Sequence, residues 1–95
     1  MKFIYRLHAI ERMFQRDISE DDVEYVIKNG KIIEEYLDDK PYPSFLVMAF
    51  INNLPLHVVY AKNEDEIIVI TTYRPNKSKW KNNYSIRIKD EMCNL

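Results

Sequence analysis

Two histidines, His8 and His57, are the side chains here best suited to moving protons near neutral pH. His8 opens the series His8, Arg12, Arg16, spaced by four, which a helix projects from one side. His57 interrupts the apolar run Leu56-His57-Val58-Val59-Tyr60, so on a strand its imidazole faces one side of a sheet. The plain readings are a buried histidine satisfied by a neighbour and a solvated basic helix face. The sharper reading has both converge on Tyr73 and Arg74 at the end of a later strand. Cleaving RNA without a metal needs a base for the 2′-OH proton and an acid for the leaving 5′-oxygen. It also needs cations for the charge that builds on phosphate. His57 or His8 suits the base, and Tyr73 or the other histidine the acid. Arg12 and Arg74 suit the phosphate, because guanidinium grips its oxygens in pairs.

Arg74, Lys77, Lys79 and Lys81 alternate around Trp80, the only tryptophan. Such a segment holds a phosphate backbone by charge and stacks a base on the indole, with Arg16 a further cation. Its plain alternative is a solvated basic edge with Trp80 closing the core. The formal net charge of −1 conceals this segregation. Residues 1–16 carry four bases and one acid, residues 17–39 nine acids against Lys28 and Lys31, and residues 74–89 six bases and no acid. An anionic partner meets the ends and not the mean.

Other chemistries lack their residues. Two histidines and one cysteine without close spacing give no zinc pattern, and one glycine excludes a phosphate-cradling glycine loop. No cofactor is expected. Glu34-Glu35 and Asp38-Asp39 suit a divalent ion, though acidic pairs at strand ends are usually solvated. The lone Cys93 speaks for a reducing compartment, and the N-terminus has no signal-peptide apolar region, so a cytoplasmic location is expected. The longest apolar run, Phe45 to Ile51, is far short of the roughly 20 residues of a membrane span.

The elements that must position these groups read as one domain over residues 1–95, with a core from about 7 to 81 and a polar tail over 82–95, frayed or briefly helical. Leu7, Ile10, Met13 and Phe14 form the apolar stripe of a first helix from about Leu7 to Arg16. Ser19 with Asp22 reads as a capping box for a second helix ending at Gly30. Four strands follow: Lys31–Leu37, Ser44–Ile51, Leu56–Ala61 and Ile67–Tyr73, with Asn52-Asn53 a hairpin signal. Short turns favour antiparallel pairing. The expected fold is α+β: two N-terminal helices packed on a four-stranded antiparallel sheet. A two-residue turn at Glu64-Asp65 sets His57 opposite Thr72 and diagonal to Arg74, whereas a three-residue turn makes Tyr73 the diagonal neighbour.

The ordered set His8-Ala9-Ile10-Glu11-Arg12-Met13, Ile18-Ser19-Glu20-Asp21-Asp22-Val23, Asn29-Gly30, Pro41-Tyr42-Pro43-Ser44, Pro55-Leu56-His57-Val58-Val59 and Ile70-Thr71-Thr72-Tyr73-Arg74-Pro75, with Lys79-Trp80 after it, resembles the family numbered 4258 among domains of unknown function. The likeness spans roughly residues 7 to 81. It implies a fold like that of the RelE and ParE toxins, ribonuclease activity, and a cognate antitoxin of zinc-finger or helix-turn-helix type. By that resemblance His8 and Arg12 match the helical motif, His57 the strand histidine and Tyr73 the tyrosine of the last strand. Arg16 and Arg74 are added from spacing and charge. A non-catalytic protein-interaction module of the same fold is the rival reading.

Overall fold

A computed structural model of the chain describes residues 1–88; Cys93 lies outside them. The first strand, β1, spans Lys2–Tyr5 and leads into helices α1, Leu7–Arg16, and α2, Glu20–Asn29. Strands β2, Lys31–Tyr36, β3, Ser44–Ile51, β4, Leu54–Asn63, and β5, Glu66–Tyr73, follow, and then two short strands, β6, Trp80–Lys81, and β7, Ile86–Arg87. The main sheet runs β1-β5-β4-β3-β2, while among the described residues β6 and β7 pair only with each other.

This corrects the expectation of four antiparallel strands. The sheet has five, and β1 pairs parallel with β5, from Lys2 against Glu66 to Tyr5 against Val69. Short turns exclude parallel pairing only between successive strands. Here residues 6–65 separate the two partners, ample for the crossover. A four-residue strand carries too little periodicity to be seen without its distant partner. The supposed polar tail is also structured as far as Ile88, since residues 82–87 turn and return as β7.

Local signals explain most of the rest. Ser19 accepts a hydrogen bond from the Asp22 amide at 3.0 Å and the Asp22 carboxylate accepts one from the Ser19 amide, closing the capping box of α2. Asn52 and Asn53, at φ 52° and 67°, supply the left-handed pair that a tight β3–β4 hairpin needs. Gly30 acts through space and not torsion, its φ being an ordinary −81°. A Cβ there meets the Val26 carbonyl oxygen at 2.5 Å and that of Met48 at 2.6 Å. Gly30→Ala is therefore expected to cost about 1–3 kcal/mol by overpacking α2 against β3, read as a melting temperature lower by roughly 4–8 °C per kcal/mol.

The core lies between the helices and one face of the sheet. Ala9, Met13, Val23 and Val26 meet Val47, Leu56, Val58, Tyr60, Ile67 and Val69. The stripe assigned to α1 is corrected here. Ala9 and Met13 face the core, while Leu7, Ile10 and Phe14 remain exposed, Phe14 by 89%. The small Ala9 lets α1 approach β5, and this rotates the bulkier stripe outward.

Candidate active site

Side chains alternate along β4, so Leu56, Val58 and Tyr60 enter the core while His57 faces the opposite side of the sheet. The β4–β5 turn is the two-residue one, with Asn63 opposite Glu66. A bulge then adds one residue to β5 between the pairs Tyr60–Val69 and Val59–Thr71. Tyr73 is thereby carried directly opposite His57, where neither simple register had placed it. Thr72, the partner expected of His57 in one register, instead pairs with Val58.

The imidazole is fully buried. Its Nε2 lies 2.9 Å from the Tyr84 carbonyl oxygen and its Nδ1 lies 3.2 Å from the Tyr73 hydroxyl. A carbonyl only accepts, so Nε2 carries the proton and donates it. Nδ1 is then the lone-pair nitrogen and accepts from the phenol. Burial pushes the His57 pKa down to about 4, against partial restoration by the Tyr84 carbonyl, so the ring is neutral near pH 7. Burial likewise raises the Tyr73 phenol and keeps it protonated.

Over this pair lies the β6–β7 ribbon. Trp80 is 5% exposed and stands edge-on to His57 with ring centroids 4.4 Å apart. Its indole therefore closes the site, the second of the two roles the sequence offered for it. Arg87 lies over the indole, its guanidinium carbon 4.6 Å from the ring centroid. The same guanidinium donates to Glu34 through Nε at 3.2 Å and Nη2 at 3.0 Å. Tyr36 also donates to Glu34. Burial opposes ionisation of Glu34, yet these donors hold its carboxyl below the usual range. Sequence reasoning missed Glu34, Tyr84 and Arg87. Glu34 resembled a solvated acid, and two-residue strands give no pattern for placing the others.

Beside the pair runs an open groove of about 460 Å³, lined by Tyr73, Arg74, Asn76, Lys79, Trp80 and Arg87 among others. Three cations and a phenol thus border one space. Lys77 and Lys81 are exposed nearby in sequence. The helical set does not join this centre. His8 is exposed on α1, and Arg12 meets Gln15 at 3.5 Å. Among the described residues no hydrogen bond or aromatic contact ties His8, Arg12 or Arg16 to His57, because α1 packs against the sheet face that His57 leaves. Among the described residues, too, no three His, Cys, Asp or Glu side chains are grouped as metal ligands are, and no helix is long and apolar enough to cross a membrane.

Comparison with curated proteins and with solved structures finds no match. The family model described as Domain of unknown function (DUF4258) matches residues 5–74. The match covers α1 through β5, including His57 and Tyr73, and ends before the ribbon. With most of its length so matched, the chain belongs to the family DUF4258.

Proposed function

We propose that this chain is an endoribonuclease toxin of a toxin–antitoxin pair, akin to the RelE and ParE toxins, that cleaves RNA by 2′-OH attack without a metal ion. The observation that carries this reading is the Tyr73–His57 hydrogen bond at the side of a groove bordered by Arg74, Lys79 and Arg87. Tyr73 is the member of the pair that reaches the groove. Its oxygen takes the 2′-OH proton as its own proton passes to Nδ1 of His57. The freed 2′-oxygen bonds to phosphorus and the bond to the 5′-oxygen breaks, leaving a 2′,3′-cyclic phosphate. The proton returns through Tyr73 to the leaving 5′-oxygen. Arg74 and Arg87 balance the charge on the phosphate, and Lys77, Lys79 and Lys81 hold the strand.

The test is cleavage of RNA by purified protein in EDTA, alongside induced expression in cells. Expected are products ending in cyclic phosphate, growth arrest on induction, and no arrest with His57→Ala. A folded His57→Ala chain that still arrests growth sinks the assignment. The cognate antitoxin, of zinc-finger or helix-turn-helix type, belongs to the same proposal.

One observation favours the rival, a non-catalytic protein-interaction module. Leu7, Ile10 and Phe14 form an exposed apolar stripe on α1 that the fold leaves uncovered. Absence of any cleavage, together with a stoichiometric protein complex lost on Phe14→Glu, supports that alternative.

A further inference from the structure

The β6–β7 ribbon makes no ladder hydrogen bonds to the five-stranded sheet. Its two strands have only two residues each, and an isolated pair of that size is marginal in water. Its turn is also strained. Asn82, Asn83 and Tyr84 follow one another at φ 50°, 60° and 71°, and a tyrosine held there costs on the order of 1 kcal/mol or more. Among the described residues, what secures the ribbon is a short set of contacts: Trp80 and the Tyr84 carbonyl on His57, the Tyr84 ring edge-on to Phe50 at 6.3 Å, and Arg87 on Glu34. The last of these is half open to water, with Arg87 53% and Glu34 24% exposed. Arg87 also borders the groove with Arg74 and Lys79. It therefore stands between a carboxylate on one side and a space suited to another anion on the other.

Resting on the function proposed above, we propose that the ribbon is a lid over His57 latched by Arg87 on Glu34. A phosphate group entering among Arg74, Lys79 and Arg87 draws Arg87 from Glu34 and frees the lid. The shut form keeps His57 out of reach of any solute. The open form exposes it and relaxes the Tyr84 backbone. Phosphate is the fitting anion because a tetrahedral oxyanion in the groove meets Arg74, Lys79 and Arg87 together, whereas Glu34 holds Arg87.

The experiment uses the two histidines against each other. Diethyl pyrocarbonate modifies accessible neutral imidazole, and His8 is an exposed internal reference for buried His57. The ratio of His57 to His8 modification, read by peptide mass spectrometry, reports lid opening. Glu34→Gln keeps the side chain's shape and is expected to raise the ratio about fivefold, as Arg87→Gln does. The double variant is expected to exceed neither by much, since both remove one contact. Main-sheet amide protection, unchanged in each variant, separates opening from unfolding. Inorganic phosphate and an eight-nucleotide thymidine oligodeoxyribonucleotide, which lacks a 2′-OH and is not cut, are the anion probes. Either raising the ratio in the native chain but not in Arg87→Gln supports the proposal. The oligonucleotide acting at lower concentration identifies a strand as the ligand, and equal action identifies free phosphate. An unchanged ratio in Glu34→Gln, or protection of His57 by both anions, overturns it. Modification requires no cleavage, so a lid that opens on a chain inert to RNA refutes the proposed activity and not the lid.

Discussion

Tyr73→Phe is expected to lower RNA cleavage by about 10²- to 10⁴-fold while leaving RNA binding within a few-fold of native, the loss typical of a missing proton-transfer group. The ring still packs edge-to-face with His57, whose centroid lies 5.3 Å away, so the change is confined to one oxygen. His57 Nδ1 then loses its donor, which costs roughly 1–3 kcal/mol of stability. Single-turnover cleavage of a short RNA, with binding measured separately, gives the answer. A Tyr73→Phe chain that cuts at the native rate removes Tyr73 from the chemistry. His8→Ala is expected to cut nearly as the native chain does, since His8 stands on α1, on the far side of the sheet from the pair.

The second large effect concerns acid. Unfolded, His57 takes up a proton near its ordinary pKa of 6.5; folded, it does so only near pH 4. Between those values the unfolded chain binds a proton that the native chain refuses, so stability falls as pH falls through this window. Below about pH 4 the loss is complete, and its size is of order 3 kcal/mol. Chemical denaturation of the native chain and of His57→Gln at pH 7, 5.5 and 4 measures it. Glutamine offers a donor to the Tyr84 carbonyl and an acceptor to Tyr73 but takes no proton. The stability difference between the two proteins is therefore expected to shift toward the variant by that amount as pH drops. An unchanged difference means that burial of His57 does not oppose its charging.

How much of this was legible in the sequence depended on distance along the chain. Helix α2 could be read because Ser19, Asp22 and Gly30 mark its ends within a dozen residues. The β3–β4 hairpin could be read because Asn52-Asn53 tolerates the needed backbone. The nearness of Tyr73 to His57 followed from a short turn. Their direct opposition depended on a bulge that no residue type at Ile70 or Thr71 announces. Strand β1 was hidden because its pairing lies across nearly the whole domain. Helix α1 misled for a physical reason: its most apolar stripe is not its buried one, since Ala9 sets the closest approach. At the site, Glu34 looked like any solvated acid until Arg87 arrived from the other end of the chain. Trp80 had two fair readings, and its contact with His57 decides for the interior.

The separateness of the ribbon has a consequence for how such a protein can change over time. Because no backbone ladder joins β6–β7 to the main sheet, substitutions that harden the core do not thereby hold the cover down, and those that loosen the cover leave the core intact. Robustness and responsiveness are set by different residues, Val58 and Val69 on one side of the sheet, Glu34 and Arg87 on the other. Each can drift without dragging the other along.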